Sequence, residues 1–400
     1  QRLQEFPGER HTDQVLYQLA RAQEAAGERA EALASLTRLV TEHPDSALLA
    51  EAQFRRGEML FVERDYRGAE AAYSGTLARG RDSGFYAEAL YKRGWARFKQ
   101  SLYQEAVDDF MALFDLYAED GTLAPERLPH AEREQVEDSL RAVSLAFSHL
   151  DGPAAIADYY RERGHERHRD RVHAGLAGLY LDKERFSDAA GALESFVAAQ
   201  PTHAQAPLFQ LRAVEIYRDA GFAAQVLEAK QRFVDLYRLD GPFWAERSPD
   251  DHPEVTGPLE TTMKDLARHY HALAQTSKAE SDYQRAFAGY RAYLASFPRH
   301  PGAQEMHFLY AELLFEHRDY AAAAEQYERA AYDFDGNDRA AEAGYAALVA
   351  YEQHGKRLQG EERRNWESLA LTSAQRFAER YPAHPKAAPV LTHAVERLFA

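Results

Sequence analysis

The residues best equipped for chemistry fall in one stretch, 160–173, YRERGHERHRDRVH, with Arg161, Arg163, Arg167, Arg169 and Arg171 beside His165, His168 and His173. Such a run could dock an acidic partner or a lipid headgroup, because guanidinium groups grip carboxylate and phosphate through paired bonds. Glu162, Glu166 and Asp170 offset most of that charge, so a solvated helix end and turn accounts for the stretch better than a docking patch. His165 and His168 stand three apart, but no carboxylate is placed as a third ligand and no zinc-protease helix motif occurs. His269 and His271 stand two apart and so point to different faces of a helix. The adjacent acids Asp108 and Asp109 read as solvent-facing. No glycine-rich phosphate loop and no nucleophile elbow is present. These residues predict no catalytic group, no metal site and no cofactor, and the chain is not expected to be an enzyme.

Composition narrows the classes further. The 400 residues carry a formal net charge of −16, which argues against sequence-independent binding of nucleic acid through its phosphates. No apolar run approaches the length of a transmembrane helix. Any peripheral membrane association would run through a partner or through residues before Gln1. With no cysteine, disulfides, thiolate catalysis and cysteine metal sites are excluded. That absence fits an oxidising compartment, though cysteine-free chains occur in the cytosol too. A chain opening on Gln1 without methionine suggests a processed or trimmed start.

What must position these side chains is a repeat. Residues 50–73, AEAQFRRGEMLFVERDYRGAEAAY, return at 87–110 and at 304–327. In each copy a small residue (Gly57, Gly94, Ala311) precedes an aromatic (Tyr66, Tyr103, Tyr320) by nine positions. An alanine follows (Ala69, Ala106, Ala323), then a second aromatic (Tyr73, Phe110, Tyr327). A period in this range predicts a solenoid. About nine helix pairs follow from apolar spacings of three and four: 12–43, 50–79, 87–117, 130–163, 172–200, 206–237, 259–297, 303–334 and 339–381. Leu16, Leu19 and Ala20 should face Ala32, Leu36 and Leu39. The last unit should carry an enlarged loop near 354–362. Inserts at 118–129 and 239–258 interrupt the array, the second read as loop because of its four prolines. They divide the chain into blocks 1–129, 130–258 and 259–400 of one continuous solenoid. Residues before Pro7 read as the end of a second helix and 387–400 as an unpaired first helix, as in an interior fragment of a longer protein.

The repeated residues resemble the tetratricopeptide repeat, whose small, aromatic, alanine and aromatic positions fall on Gly57, Tyr66, Ala69 and Tyr73 and on Gly94, Tyr103, Ala106 and Phe110. Its proline position is held by Pro44, Pro201, Pro298 and Pro382. The resemblance implies an all-α, right-handed superhelical solenoid of antiparallel helix pairs. Two departures stand out. The aromatic usual at the fourth position is shifted by one, to Phe54, Tyr91 and Phe308, and the period is often 37 residues. Repeats of that style are similar to those of bacterial outer-membrane assembly lipoproteins, Tol-Pal-associated periplasmic coordinators and polysaccharide-export scaffolds.

The resemblance implies that first helices line a concave groove that takes extended or helical peptides of other proteins. On this register the groove residues are Phe54, Glu58 and Phe61, then Tyr91, Trp95 and Phe98, then Phe308, Glu312 and Phe315. Exposed, they form an apolar wall suited to anchoring a partner; buried, they fill the seam left by the shifted aromatic. Trp95 is expected to stay available, since Arg93 and Arg97 keep its surroundings polar. Chaperone-tail recognition is not expected, because aromatics replace the lysine and asparagine of a carboxylate clamp. The function read from the sequence is a non-enzymatic protein-binding scaffold, in a periplasmic or outer-membrane-associated setting of a Gram-negative bacterium. A regulatory repeat region of a larger cytosolic protein and a scaffold for polysaccharide or peptidoglycan machinery are the alternatives.

Overall fold

The computed structural model describes residues 11–119, 121–164, 166–334 and 339–399. The helix expected before Pro7 and the candidate ligand His165 lie outside them. Among the described residues the chain is helical, with no β-strand and one isolated antiparallel bridge between Glu119 and Thr122. Nine successive pairs and a last helix follow the expected units. They begin with α1 (Thr12–Ala25) and α2 (Arg29–Glu42), α3 (Leu49–Val62) and α4 (Tyr66–Leu77), and α5 (Tyr86–Lys99) and α6 (Tyr103–Tyr117). Then come α7 (His130–His149) and α8 (Pro153–Arg163), α9 (Arg169–Asp182) and α10 (Phe186–Ala199), and α11 (Ala206–Asp219) and α12 (Ala223–Tyr237). The remainder are α13 (Pro253–Ser277) and α14 (Glu280–Ser296), α15 (Ala303–Glu316) and α16 (Tyr320–Tyr332), α17 (Ala340–Gly355) and α18 (Gly360–Arg380), and α19 (Ala387–Phe399). Contacts divide the chain into two compact units, residues 1–200 with 212–221, and residues 201–211 with 222–400.

The repeat signature has a direct physical cause. A Cβ placed on Gly57 would sit 2.6 Å from the Tyr73 ring, and one on Gly94 would sit 2.7 Å from the Phe110 ring. Glycine therefore lets the second helix lay an aromatic ring flat on the first. Ala69 and Ala106, fully buried, fit beneath the crossing. The turn between paired helices repeats as well. One residue in it adopts the left-handed region: Gly27 (φ 82°), Arg64 (65°), Ser101 (62°), Glu184 (56°), Gly221 (76°) and Arg318 (67°). After it, Asp65 and Asp319 cap α4 and α16 by accepting from the backbone N–H of Gly68 and Ala322.

Several expectations are corrected. Leu19 is 39% exposed while Leu16, Ala20, Ala32, Leu36 and Leu39 are buried, because the apolar stripe of α1 is narrower than its composition suggests. The second insert is not loop throughout. Two 3₁₀ turns (Pro242–Trp244 and Pro249–Asp251) lead into α13, which starts at Pro253 and tolerates Pro258 near its beginning. Proline at the first helical position forfeits no bond, and Pro258 forfeits one. Phe243 and Trp244 are buried, and the Trp244 Nε1 donates to the Tyr237 carbonyl at 2.8 Å. In the last pair the enlarged loop is absent, since α17 runs to Gly355 and α18 starts at Gly360; the extra residues lengthen the helices.

Candidate protein-docking face

In the first unit the groove residues fall on α3 and α5, with α7 alongside. Packing uses part of each side chain. Phe54 touches Tyr73 and Phe85, with ring centres 5.8 and 5.3 Å away. Phe61 and Phe98 each meet the first aromatic of their own second helix edge-on, Tyr66 and Tyr103, both at 5.3 Å. These rings are half-buried, so they fill the seam and keep one edge outward. Glu58 is tied down too. It accepts from the Tyr73 hydroxyl and from Lys92 Nζ, the latter at 2.9 Å.

Tyr91 and Trp95 are held differently. The Tyr91 hydroxyl and the Trp95 Nε1 both donate to Oδ2 of Asp138, at 2.7 and 3.0 Å, while Arg141 pairs with the other carboxylate oxygen at 3.1 Å. Lys99 Nζ lies 5.8 Å from the Trp95 ring centre, within cation–π range. Burial and the bond to Asp138 push the Tyr91 phenol up to about 12, so it remains a donor at neutral pH. Both residues are thus held by their polar ends and half-buried, with the Trp95 ring edge-on to Phe98 and Phe110 at 5.5 and 6.1 Å. Asp138 was beyond sequence reasoning, because α7 belongs to the degenerate pair that carries no signature and hence no register.

Arg93 and Arg97 do not surround Trp95 as the sequence suggested. Both turn to Asp109, Arg93 with three bonds of 2.6, 3.0 and 3.1 Å and Arg97 with one of 3.0 Å. Asp109 is only 2% exposed, which corrects the expectation that the Asp108–Asp109 pair faces solvent. A buried carboxylate is tolerated when cations and hydrogen bonds compensate it, and here two guanidinium groups do so.

The basic stretch is likewise spent on structure. Arg163 pairs with Asp108, Arg167 and His168 with Asp115, Arg169 with Glu166 and Arg161 with Asp158, while Arg171 donates to the Leu123 carbonyl. Arg169 is itself buried, its guanidinium 5.2 Å from the Tyr160 ring centre. The stretch is therefore an ion-paired turn joining α6, α8 and α9, nearer to the helix end and turn read from the sequence than to a docking patch. The last contact also pins the first insert, where Leu123 is buried. Among the described residues no group of three or more His, Asp or Glu is placed to hold a metal ion. His271 is buried against the Tyr290 hydroxyl at 2.7 Å, and His269 is exposed.

In the second unit the same register behaves otherwise. Phe308 is buried at 5% exposure, touching Tyr327 at 5.7 Å, with the Arg339 guanidinium 5.5 Å from its ring centre. It does not join an exposed wall, because Arg339 covers it. Glu312 reaches the surface, but desolvation of its carboxyl by surrounding atoms, with Glu342 nearby, raises it above the usual range against the pull of Arg339. Phe315 is half-buried on Tyr320, 5.0 Å away.

The family model described as "Tetratricopeptide repeat" matches residues 14–46 and 88–120. No curated protein matches the chain significantly. Among solved structures, a tetratricopeptide repeat protein from Parabacteroides merdae is 11% identical, over 86% of this chain and 99% of that one, at a TM-score of 0.29. The C-terminal part of a repeat protein from Cytophaga hutchinsonii is 14% identical, over 72% of this chain and 98% of that one, at 0.28. The P58(IPK) TPR domain is 15% identical, over 96% and 98%, at 0.25. No helix among the described residues is long and apolar enough to cross a membrane. Tetratricopeptide repeats are thus matched at 14–46 and 88–120, and successive helix pairs make up the rest of the described length.

Proposed function

We propose that this chain is a non-enzymatic scaffold that holds a peptide segment or helix of a partner protein against the first-helix face around Tyr91 and Trp95. The observation that carries the reading is the Asp138 carboxylate, which fixes both half-buried rings by their polar ends. Aromatics that are already immobile lose little rotamer entropy on binding, so their contact area counts nearly in full toward affinity. Trp and Tyr are also the residues on which binding energy concentrates. Phe54, Glu58, Phe61 and Phe98 form the surroundings of that anchor. Glu312 and Phe315 hold the corresponding register in the second unit but are not part of this anchor.

We further place the protein in a bacterial envelope assembly, periplasmic or outer-membrane-associated, on the strength of its repeat style and its lack of cysteine. A cytosolic regulatory array is the competing location. The test of function compares partner capture by the native chain with capture by Trp95→Ala and Phe98→Glu, after confirming that both melt as the native chain does. Unchanged capture would refute the docking face. Fractionation of the host, probed with an antibody to the chain, decides the location.

A further inference from the structure

A groove runs along the second unit between α12 and α14, floored by α13, and encloses about 1090 Å³. It lies away from the first-helix face, since second helices of two successive pairs form its walls. Met263 and Leu266 of α13, with Val234 at the foot of α12, make its base apolar, and Ala288, Ala292 and Ala295 line the α14 side. Met263, Leu266 and Val234 are almost fully buried, so the floor is a continuation of the unit's core that reaches the surface. The α12 wall extends from Glu228 to Arg238, about 15 Å or three helical turns at the usual rise per residue.

The rims are charged, and the charges do not cancel. Arg238 pairs with Asp240 at 3.0 Å and Arg285 approaches Asp282 at 3.8 Å. Glu228 and Asp235, one above the other on α12, are both exposed, and among the described residues no lysine or arginine pairs with either. The side-chain bond given to Asp235 comes from the neutral amide of Gln231, at 3.0 Å. Gln231 also accepts from the Tyr270 hydroxyl at the edge of the groove, 3.4 Å away.

We infer that this groove docks a basic amphipathic helix of a partner protein, its apolar side on the floor and its lysines or arginines against Glu228 and Asp235. A helix suits the site better than an extended peptide. The lining offers few side-chain amides or hydroxyls for a peptide backbone, whereas a helix satisfies its own N–H and C=O groups. Alanines at 288, 292 and 295 share one face of α14 and permit the close helix–helix approach that larger side chains prevent. A second copy of this chain is disfavoured by its net charge of −16, and a basic segment is favoured by the same charge.

Fluorescence anisotropy on the whole chain tests this. The probe is a stapled, capped peptide of about 14 residues, sufficient for three turns to hold as helix, with a leucine–alanine face flanked by lysines. Saturable binding is expected that weakens with salt, and that falls about tenfold or more when the peptide lysines become glutamate. The same loss is expected in Glu228→Lys/Asp235→Lys, and in Ala292→Trp, which fills the groove from an exposed position, while Trp95→Ala leaves binding unchanged. No saturable binding at millimolar peptide, equal affinity for the glutamate peptide, or indifference to both groove variants overturns the inference. A concentration-dependent dimer abolished by Ala292→Trp overturns it in favour of a second copy.

Discussion

The first-helix faces of the two units start from the same register and end differently. In α3 and α5 the small position is glycine, and the rings of Tyr73 and Phe110 lie on it. In α15 it is Ala311, and the neighbouring Tyr327 is nevertheless buried. Phe54 keeps an edge in solvent, while its counterpart Phe308 is covered by Arg339 from the following helix pair. Register therefore decides which face a residue occupies, and the next pair decides whether that face stays open. At Tyr91 and Trp95 the next pair instead supplies a carboxylate, Asp138, which anchors the half-buried rings by their polar ends.

The largest test of this contrast removes a seam ring. Phe110→Ala should cost about 3–5 kcal/mol, as for other fully buried aromatics, whereas Phe98→Ala, half-buried, should cost clearly less. Denaturant midpoints at constant m-value measure both, and equal losses would erase the distinction between seam and face.

A pH series separates the units next. His173 is buried beside the Ala192 carbonyl, and burial pushes its imidazole down from 6.5 to about 4. The unfolded chain thus takes up a proton before the folded one does. Stability present above pH about 6.5 should be lost as pH falls toward about 4, with a slope of at most roughly 1.4 kcal/mol per pH unit from this group. His173→Gln should flatten that slope. In the second unit His307 is lowered in the same direction but keeps Gln326 as a partner at 2.7 Å, so His307→Gln should change the slope less. Identical slopes in both variants would contradict the assignment.

Glycine and alanine can then be exchanged between the units. Gly94→Ala should destabilise by about 1–3 kcal/mol, because the new methyl must displace the Phe110 ring. Ala311→Gly should cost about 1 kcal/mol, from helix propensity alone plus a small void. The smallest effect lies in the turns. Ser101→Gly should gain about 0.5–1 kcal/mol, since serine there holds a left-handed backbone that glycine adopts freely, and Gly27→Ala should lose a similar amount.

Much of this architecture was legible in the sequence because one helix pair recurs. Gly57, Tyr66, Ala69 and Tyr73 mark crossings that sterics impose, and nine pairs follow from their spacing. The left-handed turn escaped notice because Arg64, Ser101 and Glu184 stand where only Gly27 and Gly221 announce it. Buried charge escaped for another reason. Asp109 looks solvent-facing until Arg93, one helix earlier, folds back upon it. The nine groove positions were named from register, but exposure at each depends on contacts across pairs, such as Arg339 on Phe308, which no single repeat encodes. The α12–α14 groove had no sequence signal at all, as alanines on a second helix read equally well as core.

The most direct measurement of the docking face is quantitative partner capture by Trp95→Ala set beside Phe315→Ala, each shown by circular dichroism to melt with the native chain. The account predicts that Trp95→Ala lowers affinity by about tenfold or more, the scale of a buried aromatic anchor, while Phe315→Ala leaves it within a factor of about two. Equal capture by Trp95→Ala and the native chain would contradict it.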